Sequence, residues 1–410
     1  MRRIIANCRL VTPLGDSARK GKEMKQLRTV DGAFVFIEDG VIKATGEMKD
    51  LEMLGLSGTA EWFDAKGRVL LPGFVDSHTH LVFGSYRHEE FSWRLKGDTY
   101  MSIMERGGGI QSTVNATREA SKEEMTEKAR WFLSRMSEMG VTTVEAKSGY
   151  GLDTPTELRM LEAIGDLAAD PERRLDIVAT FLGAHAVPKE YAGRTSEYCD
   201  VIINEMIPKV KEKAEFFDIF TEKNVFEIED SRRLLQAAKD AGMKLKLHAD
   251  EIVQLGGAEL AAEMGAVSAD HLLHVSDEGI RRMAEAGVVA TLLPLTAFAL
   301  KEPYAPARKF IDGGGAVALA TDLNPGSCFS GSIPLTIALA CIYMGMSVEE
   351  VITALTLNGA AALDRAHEIG SIEPGKKANL VLLEFDSIHY LPYYVGMNCV
   401  NTTFYQGNPI

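Results

Sequence analysis

Cysteine is scarce here and badly spaced for chemistry. The five residues, Cys8, Cys199, Cys328, Cys341 and Cys399, are odd in number and form no CxxC pair. That excludes a cysteine-based zinc site and a disulfide framework, and it suits a reducing compartment. No apolar run reaches the roughly 20 residues that a membrane helix needs. The N-terminal Met1-Arg2-Arg3-Ile4-Ile5 has no signal-like apolar block, because Asn7 and Arg9 interrupt it, so a cytoplasmic protein is expected. Positive charge is also in deficit. The 44 Lys and Arg against 58 Asp and Glu leave a net charge of −14, which argues against nucleic acid or an anionic membrane as partner. An anionic small molecule would be repelled at long range, and salt screens that field beyond about 8 Å, so fixed local cations would have to hold it.

What is present reads as alternating strands and helices. At 410 residues the chain can hold a (β/α)8 barrel of about 250 residues and a smaller companion. Strand-like runs at Ile4 to Val11, Ala33 to Ile37, Val41 to Thr45 and Ala60 to Phe63 are separated by turns such as Asp39-Gly40. The C-terminal segment is β-like too, with Glu373-Pro374-Gly375 preceding an apolar run that ends at Glu384. Between the two ends lie eight barrel-strand candidates: Val69–Phe74, Val141–Ala146, Ile177–Leu182, Phe216–Phe220, Lys244–Leu247, Ala266–Ala269, Val288–Leu293 and Ala316–Ala320. Helical patterns intervene at Lys122 to Met139, Glu157 to Ala169 and Asp230 to Ala241, and Thr154-Pro155-Thr156-Glu157 has the form of a capping box. The expectation is an α/β protein: a (β/α)8 TIM-like barrel over 67–373, with a small β-sandwich domain built from 1–66 and 374–410. A doubly wound open sheet is the alternative, but no Gly-rich dinucleotide fingerprint follows the first strand.

The histidines carry the functional signal. Five of the nine, His78, His80, His185, His248 and His271, fall at or just past the C-terminal end of a predicted barrel strand, where catalytic groups of such barrels gather. His88, His274, His367 and His389 do not, and read as surface or structural residues. In extended chain His78 and His80 face one side and can bring two nitrogens to one ion. His248 closes the fifth strand and Asp322 the eighth. Three imidazoles and a carboxylate leave a position open for water, as in a catalytic site. His271 can reach the same water, and Glu251, three residues past His248, is placed to shuttle a proton. The fourth strand has no lysine to bridge two metals, although Lys223 lies just beyond it, so one divalent ion is expected.

With these residues the chain resembles the metal-dependent amidohydrolase superfamily over nearly its whole length. More narrowly, it is similar to the branch that opens an imidazolone ring. The likeness rests on His78-Thr-His-Leu-Val-Phe-Gly84, the run from Gly107 to Val114, Lys147-Ser-Gly-Tyr-Gly151, Phe181-Leu-Gly-Ala-His-Ala-Val-Pro188, His248-Ala-Asp-Glu251, Tyr304-Ala-Pro-Ala-Arg308 and Ala320-Thr-Asp-Leu-Asn-Pro-Gly-Ser327. The resemblance implies hydrolysis of 4-imidazolone-5-propanoate to N-formimidoyl-L-glutamate in histidine degradation. It carries metal ligation onto His78, His80, His248 and Asp322, and substrate contact onto Arg87, Tyr150, His185, Glu251, Asn324, Gly326 and Ser327.

The chemistry expected of those residues is concrete. Arg87 offers a fork for the propanoate carboxylate. Tyr150 stacks and donates one hydrogen bond, and His185 donates to the ring carbonyl. Asn324 and its turn meet the other polar edge, Glu251 protonates the departing nitrogen, and His271 and Asp322 align the water. The sequence departs from the pattern in the stretch from Asn324 to Gly331, which reads as irregular. It departs again at Leu293-Pro294-Leu295-Thr296, where leucine replaces an expected glycine, and in a lengthened stretch between Tyr150 and His185. The three-histidine, one-aspartate set suits Zn2+ or Fe2+. A nucleobase deaminase of the same superfamily, or a non-catalytic metal-binding scaffold, remains the alternative. A homodimer is common among similar enzymes, though no helix here announces an interface.

Overall fold

The computed structural model describes residues 1–410 except 54, 56–59, 99–101 and 103–105. Its strands are β1 (Arg2–Thr12), β2 (Arg28–Glu38), β3 (Val41–Glu47), β4 (Glu61–Asp64), β5 (Val69–Pro72), β6 (Phe74–Asp76), β7 (Val141–Lys147), β8 (Asp176–Ala184), β9 (Phe216–Thr221), β10 (Lys244–Ala249), β11 (Ser268–His271), β12 (Val289–Leu292), β13 (Ala316–Leu319), β14 (Leu380–Leu383), β15 (Val400–Tyr405) and β16 (Asn408–Pro409). They form two sheets. The strands from β6 to β13 pair in sequence order, each parallel to the next. Helices cover the outside, as parallel strands buried on both faces require.

The barrel closes through side chains as much as backbone. Asp76 accepts from the Thr321 backbone N–H at 3.0 Å and from its hydroxyl at 2.6 Å. The Asp322 N–H reaches the His78 carbonyl at 3.0 Å, and the His80 N–H reaches the Leu323 carbonyl at 2.8 Å. The first and last strands are thereby stitched together at the level of the predicted ligands.

The second sheet runs β16-β15-β14-β5-β1-β2-β3, with β4 beside β1. Strands from both chain ends share one apolar core, in which Ile5, Leu10, Val35 and Ile37 meet Leu380, Leu382 and Phe404. One expected strand divides between the two sheets. Val69–Phe74 was to be a single barrel strand, but Val69–Pro72 pairs with β1 and β14, and only from Phe74 does the chain enter the barrel. Pro72 has no N–H to continue a ladder, and the Gly73 N–H turns to the Asn379 carbonyl at 2.8 Å.

A second correction concerns the helix Thr154–Ala169. Its N-cap is Asp153, whose side chain accepts from the Thr156 N–H at 2.8 Å. Glu157 instead accepts from the N–H groups of Gly149, Gly151 and Leu152 at 2.8 to 3.0 Å. It thus fixes the loop that carries Tyr150.

Candidate metal centre and substrate cavity

Two-residue alternation decides what the barrel interior contains. Glu145 and Lys147 on β7, Lys246 and His248 on β10, and Ser268 and Asp270 on β11 occupy same-face positions, and all are buried. The interior is therefore polar immediately below the strand ends. Sequence reasoning missed this layer, although charged residues two apart within otherwise apolar runs were its visible sign.

Above it the predicted ligands converge. His78 Nε2 and His248 Nε2 each lie 3.3 Å from His80 Nε2, and Asp322 Oδ1 lies 3.5 Å from the Nε2 atoms of both His78 and His80. Ligand atoms about 2.1 Å from one tetrahedral ion sit about 3.4 Å apart, and these four separations are of that size. Ring nitrogens of His185 and His271 also come within 4.8 Å of members of the group. Among the described residues, no hydrogen-bond partner reaches Asp322 Oδ1, which faces the Nε2 atoms of His78 and His80. Buried acceptors facing one another without a donor call for a cation between them.

The layer beneath orients two of the rings. His78 Nδ1 meets Asp270 Oδ2 at 2.6 Å. His248 Nδ1 lies 3.0 Å from Asp218 Oδ2, although its alignment falls short of a good hydrogen bond. Each ring is thereby left with Nε2 free to ligate. Burial lowers the pKa values of His78, His80 and His271 and favours the neutral form a ligand needs. His248 is the exception: burial lowers its pKa, but Asp218, by charge and by its close approach, and the charge of Asp270 together raise it overall.

The remaining predicted residues line one cavity of about 320 Å³ beside the ligands: Arg87, Tyr150, His185, Glu251, His271, Asn324 and Ser327, together with His80, His248 and Asp322. A larger hollow of about 590 Å³ between Arg130 and Ile177 holds none of them. Arg87 is mostly buried, with Glu90 3.9 Å away. Gly326 lies flat against its guanidinium, where any side chain would overlap it.

Glu251 is pushed up to about 8 by burial and by the charges of Asp322 and Glu222, so it stays protonated at neutral pH. Its Oε1 is 3.5 Å from His271 Nδ1. Glu222 also accepts from the Ile252 N–H at 2.9 Å and so holds the loop just past Glu251. Asp322 is pushed up to about 6 by burial, against the Thr296 hydroxyl that donates to its Oδ2 at 2.6 Å. Thr296 was not singled out from sequence. Backbone strain collects here too. Asp250, His271, Leu272 and Asp322 all have positive φ, at 49°, 74°, 61° and 55°. For residues such as His271 and Leu272 this costs about 1–3 kcal/mol each, strain of a kind that clusters at functional sites.

Two expected roles change. His185 Nδ1 meets the Gly149 carbonyl at 3.0 Å, and that carbonyl can only accept, so Nδ1 carries the proton. Burial, with the nearby His248, pulls the His185 pKa down to about 3, so Nε2 is bare. With its one proton given to the Gly149 carbonyl, the ring has none for a substrate carbonyl as the sequence suggested; Nε2 can accept. Asn324 is also engaged differently. Its Oδ1 accepts from the N–H groups of Gly326 and Ser327 at 2.8 and 2.7 Å, and its Nδ2 donates to the Asp322 carbonyl at 2.8 Å and to Ser327 Oγ at 3.0 Å. Asn324 shapes the turn and has little capacity left for a ligand. The segment that read as irregular is an ordered side-chain turn.

The amidohydrolase family pattern matches residues 69–410. An imidazolonepropionase of Bacteroides thetaiotaomicron is 64% identical over 406 residues, covering 98% of this chain and 97% of its own. One of Clostridium tetani is 56% identical over 408 residues, covering 99% and 97%. Among solved structures, Escherichia coli guanine deaminase superposes with a TM-score of 0.74 at 16% identity, covering 100% of this chain and 99% of its own. A zinc-containing adenosine deaminase of Xanthomonas campestris gives 0.72 at 18%, covering 99% and 92%. At such identities these two speak for the fold alone.

Proposed function

The chain belongs to the amidohydrolase family and, within it, to the imidazolonepropionases, and from that we propose how it hydrolyses 4-imidazolone-5-propanoate to N-formimidoyl-L-glutamate in histidine degradation. Water adds across the ring amide: its oxygen goes to the carbonyl carbon, a proton goes to the adjacent nitrogen, and the bond between them breaks. The observation that carries the reading is one cavity lined by Arg87 and by His80, His248 and Asp322, with His78 Nε2 packed against His80 and Asp322.

The enzyme uses a divalent metal, and we assign its ligation to His78, His80, His248 and Asp322. This donor set suits Zn2+ and Fe2+ alike, and elemental analysis of protein purified without added metal decides between them. When bound, such an ion polarises a carbonyl and brings the pKa of water from about 15.7 to about 7.

The protein's own groups do the rest. Arg87 pairs with the propanoate carboxylate, and Gly326 lets it lie flat. Tyr150, whose phenol burial keeps protonated, donates one hydrogen bond to the substrate. His185 Nε2 accepts a ring N–H and so selects the orientation of the imidazolone. Asp322 and His271 align the attacking water, and protonated Glu251 delivers the proton to the departing nitrogen. Ser327 and the turn held by Asn324 close the far wall.

We take residues 67–373 as the catalytic barrel and 1–66 with 374–410 as its companion, with Val69–Pro72 as the strand the companion borrows. The net charge of −14 supports a protein without nucleic-acid or membrane partners. Among the described residues no helix is long and apolar enough to cross a membrane. A cytoplasmic location and a homodimer complete the reading, and sedimentation tests the latter.

The decisive assay follows loss of imidazolone absorbance with purified, metal-loaded protein. Absence of turnover, with ammonia released from guanine or cytosine instead, would overturn the assignment in favour of a deaminase. Arg87 speaks against that outcome, because a neutral nucleobase has no carboxylate for it.

A further inference from the structure

Five charged side chains are fully buried in the barrel interior directly under the histidines: Glu145, Lys147, Asp218, Lys246 and Asp270. Barrels of this type usually fill that space with branched apolar residues. Buried ion pairs bring little stability over well-packed apolar groups, so their presence asks for another reason. The contacts supply one. Lys147 Nζ lies 2.7 Å from Asp218 Oδ2 and 3.9 Å from Asp270 Oδ2, and these same two oxygens face His248 Nδ1 at 3.0 Å and His78 Nδ1 at 2.6 Å. Glu145 holds the ammonium from the other side, at 2.8 Å, and is fixed in turn by the Thr180 hydroxyl at 2.5 Å. Lys246 touches Glu145 and Asp270, at 3.4 and 3.6 Å, and donates to the Ser77 carbonyl at 2.9 Å. Among the described contacts, Lys147 alone spans both carboxylates that face ligand rings.

We propose that Lys147 is a positioning residue for the metal centre: its ammonium anchors Asp218 directly and, beside Lys246 and the Ser268 hydroxyl that donates at 2.7 Å, helps to hold Asp270, so that His248 and His78 present Nε2 to one cation. The inference rests on the assignment of those two histidines as ligands.

The test compares zinc dissociation constants, from competition with a chromophoric chelator, and the visible spectrum of cobalt-loaded protein. Groups that orient ligand histidines are worth about 10–100-fold in metal affinity. Lys147→Met is expected to weaken zinc binding by at least about tenfold and to change the cobalt bands, while the metal-free protein stays folded by circular dichroism. The double variant Lys147→Met/Glu145→Gln removes one buried charge of each sign and serves if the single variant does not fold. Weak binding that persists in the double variant supports positioning, since Asp218 and Asp270 are intact but have lost the ammonium between them. Wild-type affinity in either variant overturns it and leaves Lys147 a charge-balancing filler. His78→Ala in the same assay separates the two layers of the argument. If it too leaves affinity unchanged, the ligand assignment fails; if it alone weakens binding, only the role of Lys147 fails.

Discussion

The Cα of Gly326 rests against the Arg87 guanidinium so closely that a single methyl group there would overlap it. The turn that follows the strand-eight aspartate therefore shapes the anion anchor that follows the first metal motif. Gly326→Ala must push Arg87 out of its seat. A hydrogen bond to a charged group is worth about 1.5–3 kcal/mol, so KM should rise roughly 10- to 100-fold with a smaller change in kcat. Arg87→Ala should do at least as much. Initial-rate kinetics on both variants check this, and an unaltered KM in either would remove the anchor role.

Glu251 predicts an alkaline limb. Its carboxyl is pushed up to about 8, so at neutral pH it holds the proton that the departing nitrogen needs, and activity falls as pH rises through that value. A bound cation nearby pulls the value down, so the limb of the loaded enzyme lies at or below about 8. Linkage has the same sign. The unfolded chain ionises this group near the ordinary glutamate value of 4.5, so its contribution to stability is complete below that value and is lost as pH climbs to about 8. Glu251→Gln cannot deliver the proton and should lower kcat by about 10²–10⁴-fold. A pH–rate profile of wild type without a limb in this region would count against Glu251 as the acid.

The barrel was legible because parallel strands buried on both faces write themselves as short apolar runs, and seven of the eight fell where expected. The eighth did not, because an apolar run cannot reveal which of two sheets it pairs with; Val69–Phe74 serves both. The histidines proposed as ligands were picked out by their place at strand ends, and the structure brings their rings together. The layer beneath them was not: Lys147 or Asp218 in a strand reads as a solvated face until closure of the sheet puts that face inside. Tautomer and engagement were equally invisible. That His185 gives its proton to Gly149, and that Asn324 bonds to its own turn, depend on loops meeting across many residues of chain.

Thr296 is the next point of leverage, since its hydroxyl holds Asp322 Oδ2 at 2.6 Å and leaves Oδ1 toward the ligands. Thr296→Val keeps the shape and removes the donor. The freed carboxylate can rotate, and kcat should fall about tenfold, the equivalent of about 1.4 kcal/mol. Thr296→Ser should restore most of the rate. Equal activity of the valine and serine variants, at matched metal content, would show that this hydrogen bond does not set the aspartate.

Metal removal should cost stability as well as activity. Without a cation, the Nε2 atoms of His78 and His248 each sit 3.3 Å from His80 Nε2, so buried acceptors face one another at close range. A ligand that binds only the folded state adds RT ln(1 + [L]/Kd), about 2.7 kcal/mol at a hundredfold excess over Kd. Stripping the protein with a chelator should therefore abolish turnover and lower the unfolding temperature by about 3 °C or more, and zinc should restore both. Asp322→Ala removes one of the four proposed ligands, so the zinc-dependent shift should shrink while the metal-free unfolding temperature changes less. Calorimetry with and without zinc reads both quantities, and a wild-type unfolding temperature indifferent to the ion would mean that the cluster does not bind it.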